Sequence, residues 1–221
     1  MEDKARKLID RLEEKLKFFS QLGVEFVSSQ SSSKDSPYLS LKERILSCQK
    51  CPLSQGRKNA VPGEGNLRTE LMFVGEAPGR DEDIQGRPFV GRAGQLLTKI
   101  IHAMQFKRED VYITNIVKCR PPENRNPHRQ EIEMCQDYLR EQLEMIKPEV
   151  IVTLGKVATD FFIQSKLGMT ALRGSFYEYN NIKVMPTFHP SYIIRNEGNN
   201  KEIKKMVWED MQKVMAFLGK K

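Results

Sequence analysis

Two short segments of the chain bring together residue types that do chemistry. Gly75 to Gly79 reads Gly-Glu-Ala-Pro-Gly and supplies the carboxylate of Glu76, whereas His189, Pro190 and Ser191 supply an imidazole and a hydroxyl. Such groups act as general acids and bases, and as hydrogen-bond donors at reacting atoms. Each segment follows an apolar run of strand type, and ligands of open α/β sheets bind beyond the carboxyl ends of the strands. The sequence therefore predicts that both loops face one crevice.

The four cysteines form a second set with chemical potential. Cys48 and Cys51 make a close pair followed by proline, Cys119 follows an apolar run, and Cys135 lies at the start of a helical pattern. In a reducing compartment such a set holds a metal or cluster more often than it forms disulfides. One close pair with two scattered thiols suits an iron–sulfur cluster, while zinc and ordinary buried or disulfide-forming thiols stay open on spacing alone.

Strand and helix patterns alternate along the part of the chain that carries these residues. Four apolar runs predict strands at 71–74, 111–114, 150–153 and 182–185. Helical patterns fit near 91–105, 129–146, 155–163 and 200–218. This alternation predicts an α/β fold of three layers, α/β/α, with a central, mostly parallel four-stranded sheet.

The beginning of the chain differs from the rest. Apolar residues recur there at helical spacing and predict an amphipathic helix: Leu8, Ile9, Leu12, Leu16 and Phe19. The serine-rich stretch at 28–33 predicts a flexible linker. We therefore divide the chain into a helix and linker at 1–37 and a catalytic domain at 38–221. The helix is expected to dock on the domain or on another chain, which makes a protein partner a prediction.

Composition bounds the partners and the location. Lysine and arginine number 36 against 29 acidic residues in a chain of 221, and the net charge of +7 favours a polyanionic partner without identifying it. The charged N-terminal region lacks the apolar core of a signal peptide, and no apolar stretch approaches the ~20 residues that span a bilayer. The sequence predicts a soluble, intracellular (cytoplasmic) protein without a membrane segment.

In combination, the motifs of this chain closely resemble those of the family 4 uracil-DNA glycosylases, thermophile-type enzymes with a [4Fe-4S] cluster. The resemblance covers about residues 40–218 and rests on four motifs together with the cysteines: GEAPG at 75–79, GRPFVG at 86–91, TNIVKCRPP at 114–122 and HPSY at 189–192. It implies the fold of those enzymes and a DNA repair activity that flips uracil out of DNA and hydrolyses its N-glycosidic bond, leaving an abasic site. It also favours a [4Fe-4S] cluster over zinc, with Cys48, Cys51, Cys119 and Cys135 as ligands.

The resemblance also implies roles around the flipped base. Phe89 would stack on uracil, and the Asn115 amide would donate to O4 and accept from N3–H, a pattern that cytosine reverses. His189 would stabilise the negative charge that develops at O2 as the base leaves. Ser191 and neighbouring backbone N–H groups would hold a DNA phosphate. One side chain of residues 192–195 would fill the gap that the flipped base leaves.

The loop after the first predicted strand departs from the pattern of a better-known family of uracil glycosylases. In that family an aspartate at the position of Ala77 organises the attacking water, and a tyrosine at the position of Gly79 blocks the methyl group of thymine. We assign the water to Glu76, and the resemblance suggests that Glu82 approaches the C5 edge of uracil. The plain alternatives are a carboxylate that bonds the backbone of its own loop, for Glu76, and a solvated acidic turn, for Glu82.

A basic, proline-containing loop at 120–129 is expected to follow the DNA backbone. Two other function classes stay open: a non-catalytic nucleic-acid binder in which the cysteines only staple the fold, and a nucleotide-binding α/β enzyme. The second lacks the G-x-x-x-x-G-K-[ST] and G-x-G-x-x-G patterns. We expect a monomeric, monofunctional glycosylase, because the resemblance places no lysine as a Schiff-base nucleophile.

Overall fold

The computed structural model describes residues 35–196, 198 and 200–220. The predicted amphipathic helix and the serine-rich linker lie outside these residues, so the division of the chain near residue 37 stays a prediction. None of the described helices is long and apolar enough to cross a membrane.

A sheet of six strands forms the centre of the described part of the chain. In chain order the strands are β1 (Glu64–Gly65), β2 (Leu71–Gly75), β3 (Tyr112–Asn115), β4 (Val150–Leu154), β5 (Tyr177–Tyr179) and β6 (Ile182–Thr187). Their order across the sheet is β1-β3-β2-β4-β6-β5. The inner four strands are parallel, and the short strands β1 and β5 pair antiparallel at the two edges.

Helices cover both faces of this sheet. In chain order they are α1 (Asp35–Leu46), α2 (Leu53–Gly56), α3 (Arg80–Gln85), α4 (Arg92–Ala103), α5 (Arg129–Ile146), α6 (Lys156–Ile163), α7 (Met169–Leu172), α8 (Pro190–Arg195) and α9 (Asn200–Phe217). A 3₁₀ turn at Pro122–Asn124 lies between β3 and α5.

The side chains of β2 explain the three layers. Successive side chains of a strand point to opposite faces of the sheet. Leu71 and Phe73 join the apolar cluster that contains residues of α4, α8 and α9, whereas Met72 and Val74 join the cluster that contains residues of α1, α5 and α6. Because both faces of the strand are buried, its sequence is an unbroken apolar run.

The predicted fold class is confirmed, with one correction to the sheet. The four predicted strands correspond to β2, β3, β4 and β6, but β3 begins at Tyr112 and two further strands make the sheet six-stranded. The additional strands β1 and β5 have two and three residues and are not fully buried. Strands this short carry too little apolar alternation to be recognised in a sequence. The four predicted helices correspond to α4, α5, α6 and α9.

The strand order reverses between β2 and β4. From β2 the chain passes to β3 on one side, and it then returns to β4 and β6 on the other. Loops that leave the carboxyl ends of β2 and β4 diverge at such a switch point and leave a crevice for a ligand. The fold therefore favours a binding site at the ends of these strands.

Candidate active site

A cleft of about 640 Å³ lies at the carboxyl ends of the parallel strands. This volume falls within the range of small-molecule sites. The cleft is lined by every residue outside the cysteines to which the sequence assigned a role, namely Glu76, Ala77, Gly79, Glu82, Phe89, Asn115, His189 and Ser191. Residues from distant parts of the chain thus meet at one place, as their positions after strands predicted.

Gly75, at the end of β2, allows two of these side chains to converge. A Cβ atom at this position would lie 2.4 Å from Oδ1 of Asn115 and 2.5 Å from Cζ of Phe89. Both distances are shorter than any real contact of a Cβ atom. The glycine therefore leaves room for an amide and an aromatic ring side by side on the floor of the cleft.

Asn115 presents an unpaired polar atom in this floor. Its side chain ends β3 and is 1% exposed, and Oδ1 has no hydrogen-bond partner among the described residues. The backbone is fixed from both sides, because Ile116 N–H donates to the carbonyl of Gly75 and Lys118 Nζ donates to the carbonyl of Asn115 at 2.6 Å. A buried acceptor without a partner is destabilising by about 1–3 kcal/mol. Such an atom is available to a ligand.

Phe89 is held in an unusual backbone conformation. Its φ angle is 49°, in the left-handed region that aromatic residues rarely adopt. A Cβ atom at Gly94 would lie 1.9 Å from the carbonyl carbon and oxygen of Phe89, so α4 packs directly against this backbone. The Phe89 ring lies 5.7 Å from the His189 ring, at an interplanar angle of 35°.

The hydrogen bonds of His189 define its tautomer. Ser191 N–H donates to Nδ1 at 3.1 Å, and Ser191 Oγ lies 2.7 Å from the same atom. A backbone N–H can only donate, so Nδ1 carries no proton and the neutral ring carries its proton on Nε2. Burial, together with the positive charge of Arg195, lowers the pKa of His189 to about 4. The imidazole is therefore a neutral Nε2–H donor at physiological pH.

Close backbone contact also supports His189. Gly155 follows β4 with a φ of +89°, and a Cβ atom there would lie 3.1 Å from Cβ of His189. Gly155 N–H donates to the carbonyl of Thr187 at the end of β6. The glycine thus joins the turn after β4 to the turn that carries the imidazole.

Glu76 differs from the other carboxylates near the cleft. No hydrogen bond within the described residues involves its carboxylate, and burial raises its pKa above the ordinary value of 4.5, an effect that the charge of Arg195 partly opposes. The neighbouring Ala77 contributes only a methyl group to the lining. Glu76 is therefore the carboxylate at this end of β2 that is free to act on water.

Glu82 and Gly79 are joined by a hydrogen bond. Glu82 Oε2 accepts from Gly79 N–H at 3.1 Å, while Oε1 accepts from the N–H groups of Val90 and Gly91 at 2.8 and 2.9 Å. A Cβ atom at Gly79 would lie 2.7 Å from Oε2. The carboxylate thus occupies the space that a side chain at position 79 would need.

The predicted loop at 192–195 is part of helix α8, which exposes one aromatic side chain beside the cleft. Tyr192 is 40% exposed and stacks on Phe188, with 5.1 Å between ring centroids and an interplanar angle of 24°. Ile193 is 1% exposed and belongs to the core. Of the residues at 192–195, Tyr192 and Arg195 line the cleft.

All four cysteines are free thiols around a shared apolar cluster. Cys119 and Cys135 are buried, whereas Cys48 and Cys51 are partly exposed. Burial raises the pKa of the Cys119 thiol, Arg57 opposes this effect, and charges on Cys51 and Cys48 raise the pKa further. The thiols are thus within electrostatic range of one another.

The donors around the sulfur atoms fit a metal-bound, thiolate form. Arg57 Nη1 donates to Cys119 Sγ at 2.8 Å, and Lys118 N–H donates to Cys135 Sγ at 3.3 Å. Such N–H groups stabilise thiolates, the form in which cysteine binds metals. Within the described residues no three His, Cys, Asp or Glu side chains form a site for one metal ion.

Comparison with known proteins assigns the chain to a family. A model of the uracil DNA glycosylase superfamily matches residues 62–212. A type-4 uracil-DNA glycosylase of Thermotoga maritima is 49% identical over 81% of this chain and 94% of the relative. A type-4 uracil-DNA glycosylase of Saccharolobus solfataricus is 47% identical over 82% of this chain and 86% of the relative. The chain is a type-4 member of the uracil DNA glycosylase superfamily.

The type-5 uracil-DNA glycosylases are less similar. The enzyme of that type from Pyrobaculum aerophilum is 30% identical over 70% of this chain and 83% of the relative. The resemblance derived from the motifs is therefore confirmed at the level of the type-4 family.

Three residues that support this type-4 site were assigned no role from the sequence. Lys118 is 1% exposed, and its Nζ donates to Thr114 Oγ1, the carbonyl of Asn115 and Gln142 Oε1. It is adjacent in sequence to Cys119, so one residue connects the floor of the cleft with the cysteine site. A lysine after a strand is ordinarily exposed, and only its position inside the motif at 114–122 could have drawn attention to it.

Asp210 and Arg173 form the other hidden support. Asp210 is fully buried in α9, is paired with the Arg173 guanidinium and accepts from Thr187 Oγ1 at 2.6 Å. Thr187 ends β6 two residues before His189. This ion pair therefore fixes the strand end from which the imidazole projects, although both residues are far from it in sequence.

Proposed function

We propose that this protein is a uracil-DNA glycosylase that takes uracil out of the DNA stack and hydrolyses its N-glycosidic bond, leaving an abasic site. The observation that carries the proposal is the floor of the cleft, where the unpaired Oδ1 of Asn115 lies beside the Phe89 ring and the neutral His189. A base inside a duplex cannot reach such a floor, so the nucleotide must first be flipped out.

The Asn115 amide recognises uracil through both its oxygen and its nitrogen. Oδ1 accepts from uracil N3–H, and the amide N–H₂ donates to uracil O4. Cytosine presents an acceptor at N3 and an amino group at position 4, so both contacts become unfavourable. The Phe89 ring provides a face for stacking, which contributes about 1–3 kcal/mol per base.

Departure of the base is assisted by His189. When the bond between C1′ and N1 breaks, its electron pair moves into uracil and negative charge develops on O2. The Nε2–H group donates to this oxygen, and a preorganised donor of this kind commonly accelerates a reaction about 10²–10³-fold. Because Nδ1 already accepts from Ser191, the ring need not change its tautomer during the reaction.

Glu76 is proposed to act on the attacking water. The water oxygen bonds to C1′ as the bond to N1 breaks, and the proton that the water loses passes to the Glu76 carboxylate. Its partly buried position raises its pKa and makes it a better base than an exposed glutamate. Glu76 thereby supplies the carboxylate for the attacking water, which the methyl side chain of Ala77 cannot supply. Gly79 and Glu82 shape the edge of the cleft.

Two exposed groups at the rim are proposed to bind the DNA. Tyr192 is available to fill the gap that the flipped base leaves, since its side chain is exposed on α8 while Ile193 is buried. Arg195 is exposed, and no described residue accepts a hydrogen bond from it, so we assign it to a phosphate. Ser191 Oγ and N–H are already engaged with His189, and we therefore assign Ser191 to positioning the imidazole rather than to a phosphate.

We also propose that Cys48, Cys51, Cys119 and Cys135 hold a [4Fe-4S] cluster. Hydrolysis requires no electron transfer, so the cluster would supply a cross-link between the segment that joins α1 to α2, the segment after β3, and α5.

The test uses labelled oligonucleotides with one uracil opposite guanine, opposite adenine or unpaired, and a thymine strand as control. Purified, anaerobically prepared protein is added, and alkali then cleaves the strand at abasic sites. Cleavage limited to uracil strands, and lost in the Asn115→Ala/His189→Ala double variant, is the expected result. Tight binding of DNA without base release, from protein that keeps its brown colour, would overturn the proposed activity.

A further inference from the structure

Glu82 contacts two different walls of the cleft. One wall is the loop from Gly75 to Gly79, which carries Glu76, and the other is the loop from Gly86 to Gly91, which carries Phe89. Helix α3 lies between these loops in the chain. The position of Glu82 in the first turn of α3 lets its carboxylate reach back to one loop and forward to the other.

Three backbone N–H groups converge on this carboxylate. Oε2 accepts from Gly79 N–H at 3.1 Å, and Oε1 accepts from Val90 N–H at 2.8 Å and Gly91 N–H at 2.9 Å. Gly79 and Gly91 are the residues that precede α3 and α4, so the negative charge lies at the N-termini of two helices. Backbone N–H groups at such positions lack partners within their helices and favour an anion.

The same contacts explain how Phe89 keeps its conformation. A left-handed φ of 49° is unfavourable for an aromatic residue and persists only where the surroundings enforce it. The two N–H groups that donate to Oε1 belong to the residues immediately after Phe89, and Gly94 packs against its carbonyl. The carboxylate thus fixes the direction of the chain directly after the ring.

These contacts leave the carboxylate little capacity for the substrate. Both oxygens already accept from the backbone, and Oε2 fills the space where a side chain at Gly79 would begin. A carboxylate held by three backbone hydrogen bonds is suited to fixing the wall of the cleft. Contact with the C5 edge of a base would have to compete with these three bonds.

We propose that Glu82 is a positioning residue that joins the two walls and holds the Phe89 ring over Gly75 for stacking on the flipped base. Exclusion of thymine is then a property of the rigid wall as a whole and does not depend on direct contact between this carboxylate and the methyl group. The inference rests on the proposed glycosylase activity for its kinetic test, but its structural test is independent of that activity.

The structural test is hydrogen exchange of the full-length, cluster-loaded protein, followed by mass spectrometry of peptides that cover residues 86–94. In Glu82→Gln, the amide oxygen can still accept from Val90 and Gly91, while the amide N–H₂ faces Gly79 N–H. In Glu82→Ala all three bonds are lost. Exchange should rise in this segment in the order wild type, Glu82→Gln, Glu82→Ala. Glu144→Gln, the same change at an exposed position of α5, is the control and should leave exchange unchanged.

The kinetic test separates positioning from steric exclusion. Glu82→Ala should lower kcat for uracil about 10- to 100-fold, the range expected for loss of one base–aromatic stack, with KM within about 2-fold of wild type because the DNA-binding rim is unchanged. Glu82→Gln should recover part of this loss. In a Phe89→Ala background the Glu82→Ala change should have little further effect, because both residues act through the same ring.

Three results would overturn the proposal: release of thymine by Glu82→Ala while exchange at 86–94 stays at the wild-type level, unchanged exchange at 86–94 in Glu82→Gln, or full additivity with Phe89→Ala. If Glu82→Ala does not fold, the Glu82→Gln measurements decide. Wild-type protein that releases no uracil would refute the proposed activity, while increased exchange in Glu82→Gln would still support the link between the walls.

Discussion

The polar groups on the floor of the cleft have fewer protein partners than the side chains that support it. We call these supporting side chains the frame, and they are Glu82, Lys118, Arg173 and Asp210. On the floor, Oδ1 of Asn115 is unpaired, the Glu76 carboxylate accepts no hydrogen bond from a described residue, and the Nε2 side of His189 is free of partners in the same part of the chain. Buried polar groups are normally satisfied. The polar groups of the floor are therefore available to a substrate and to the attacking water.

The frame shows the opposite pattern. Three of its ionisable side chains, Glu82, Lys118 and Asp210, each make three hydrogen bonds with the protein. Each of them fixes the position of a backbone segment that carries a residue of the floor or of a wall of the cleft. Polar and charged side chains near this site therefore fall into two classes. Those with few protein partners are available for the reaction, whereas those with three hydrogen bonds to the protein fix the geometry of the cleft.

The largest effect on stability is expected from the frame. Asp210→Ala leaves the Arg173 guanidinium buried without its partner, and breaking a buried pair in this way costs about 3–5 kcal/mol of unfolding free energy. Urea unfolding of the two proteins measures the difference. Glu209→Ala, which removes the neighbouring half-exposed carboxylate 3.9 Å from Arg173, should change stability by less than about 1 kcal/mol. Equal losses in both variants would contradict the role of Asp210.

The next largest effect, on the reaction rate, is expected from substitution of the floor residue His189 by alanine. It removes the donor at uracil O2 and should lower the single-turnover rate about 10²–10³-fold, with unchanged DNA affinity and unfolding temperature. His102→Ala, at an exposed position of α4, is the matched control and should behave as wild type. A parallel loss of DNA affinity would show that the histidine binds DNA and does not stabilise the departing base.

Glu76→Gln should lower the rate at neutral pH about 10²-fold, because the amide cannot accept a proton from water. The carboxylate is the active form, so the wild-type rate should fall as the pH decreases through the raised pKa of Glu76, above 4.5. His189, with a pKa of about 4, stays neutral over most of this range and adds no such decrease. The pH profile of single-turnover rates is the measurement, and the variant should lose the acid limb. An acid limb that persists in Glu76→Gln would exclude this carboxylate as its source.

The smallest effect is expected at the rim. Tyr192→Ala should slow uracil release from duplex DNA about 10-fold, since the gap left by the flipped base is no longer filled by a stacking ring. Release from single-stranded DNA should change little. Tyr192→Phe keeps the ring and should match wild type on both substrates. A similar loss on single strands would assign Tyr192 to the cleft itself.

The sequence predicted the framework of this molecule where a regular pattern carries the information. The parallel strands are unbroken apolar runs, and helices α4, α5, α6 and α9 have helical spacing over 8 to 18 residues. Helices α3 and α8 have only six residues each and fell within predicted loops. Periodicity cannot be recognised over so short a length, and tertiary contacts decide such elements.

The residues of the site likewise differ in whether the sequence could predict them. The floor residues follow strands within motifs, and the structure brings all of them to one cleft. The supporting roles of Lys118 and Asp210 could not be predicted, because their contacts join residues far apart in the chain. Lys118 reaches Gln142, 24 positions away, and Asp210 reaches Thr187, 23 positions away. Glu82, whose partners are close in the chain, was recognised as a site residue, but its bonds to the two loops were not predicted.

The thermal unfolding midpoint of Asn115→Ala tests the contrast between floor and frame most directly. A buried acceptor without a partner costs about 1–3 kcal/mol, and because Asn115 lines the cleft, truncation of its side chain should deepen the cleft instead of leaving an enclosed cavity. The midpoint should therefore equal or exceed that of the wild type while uracil release is lost. A clear decrease in the midpoint would contradict the account, because it would mean that Asn115 holds the structure together and belongs to the frame.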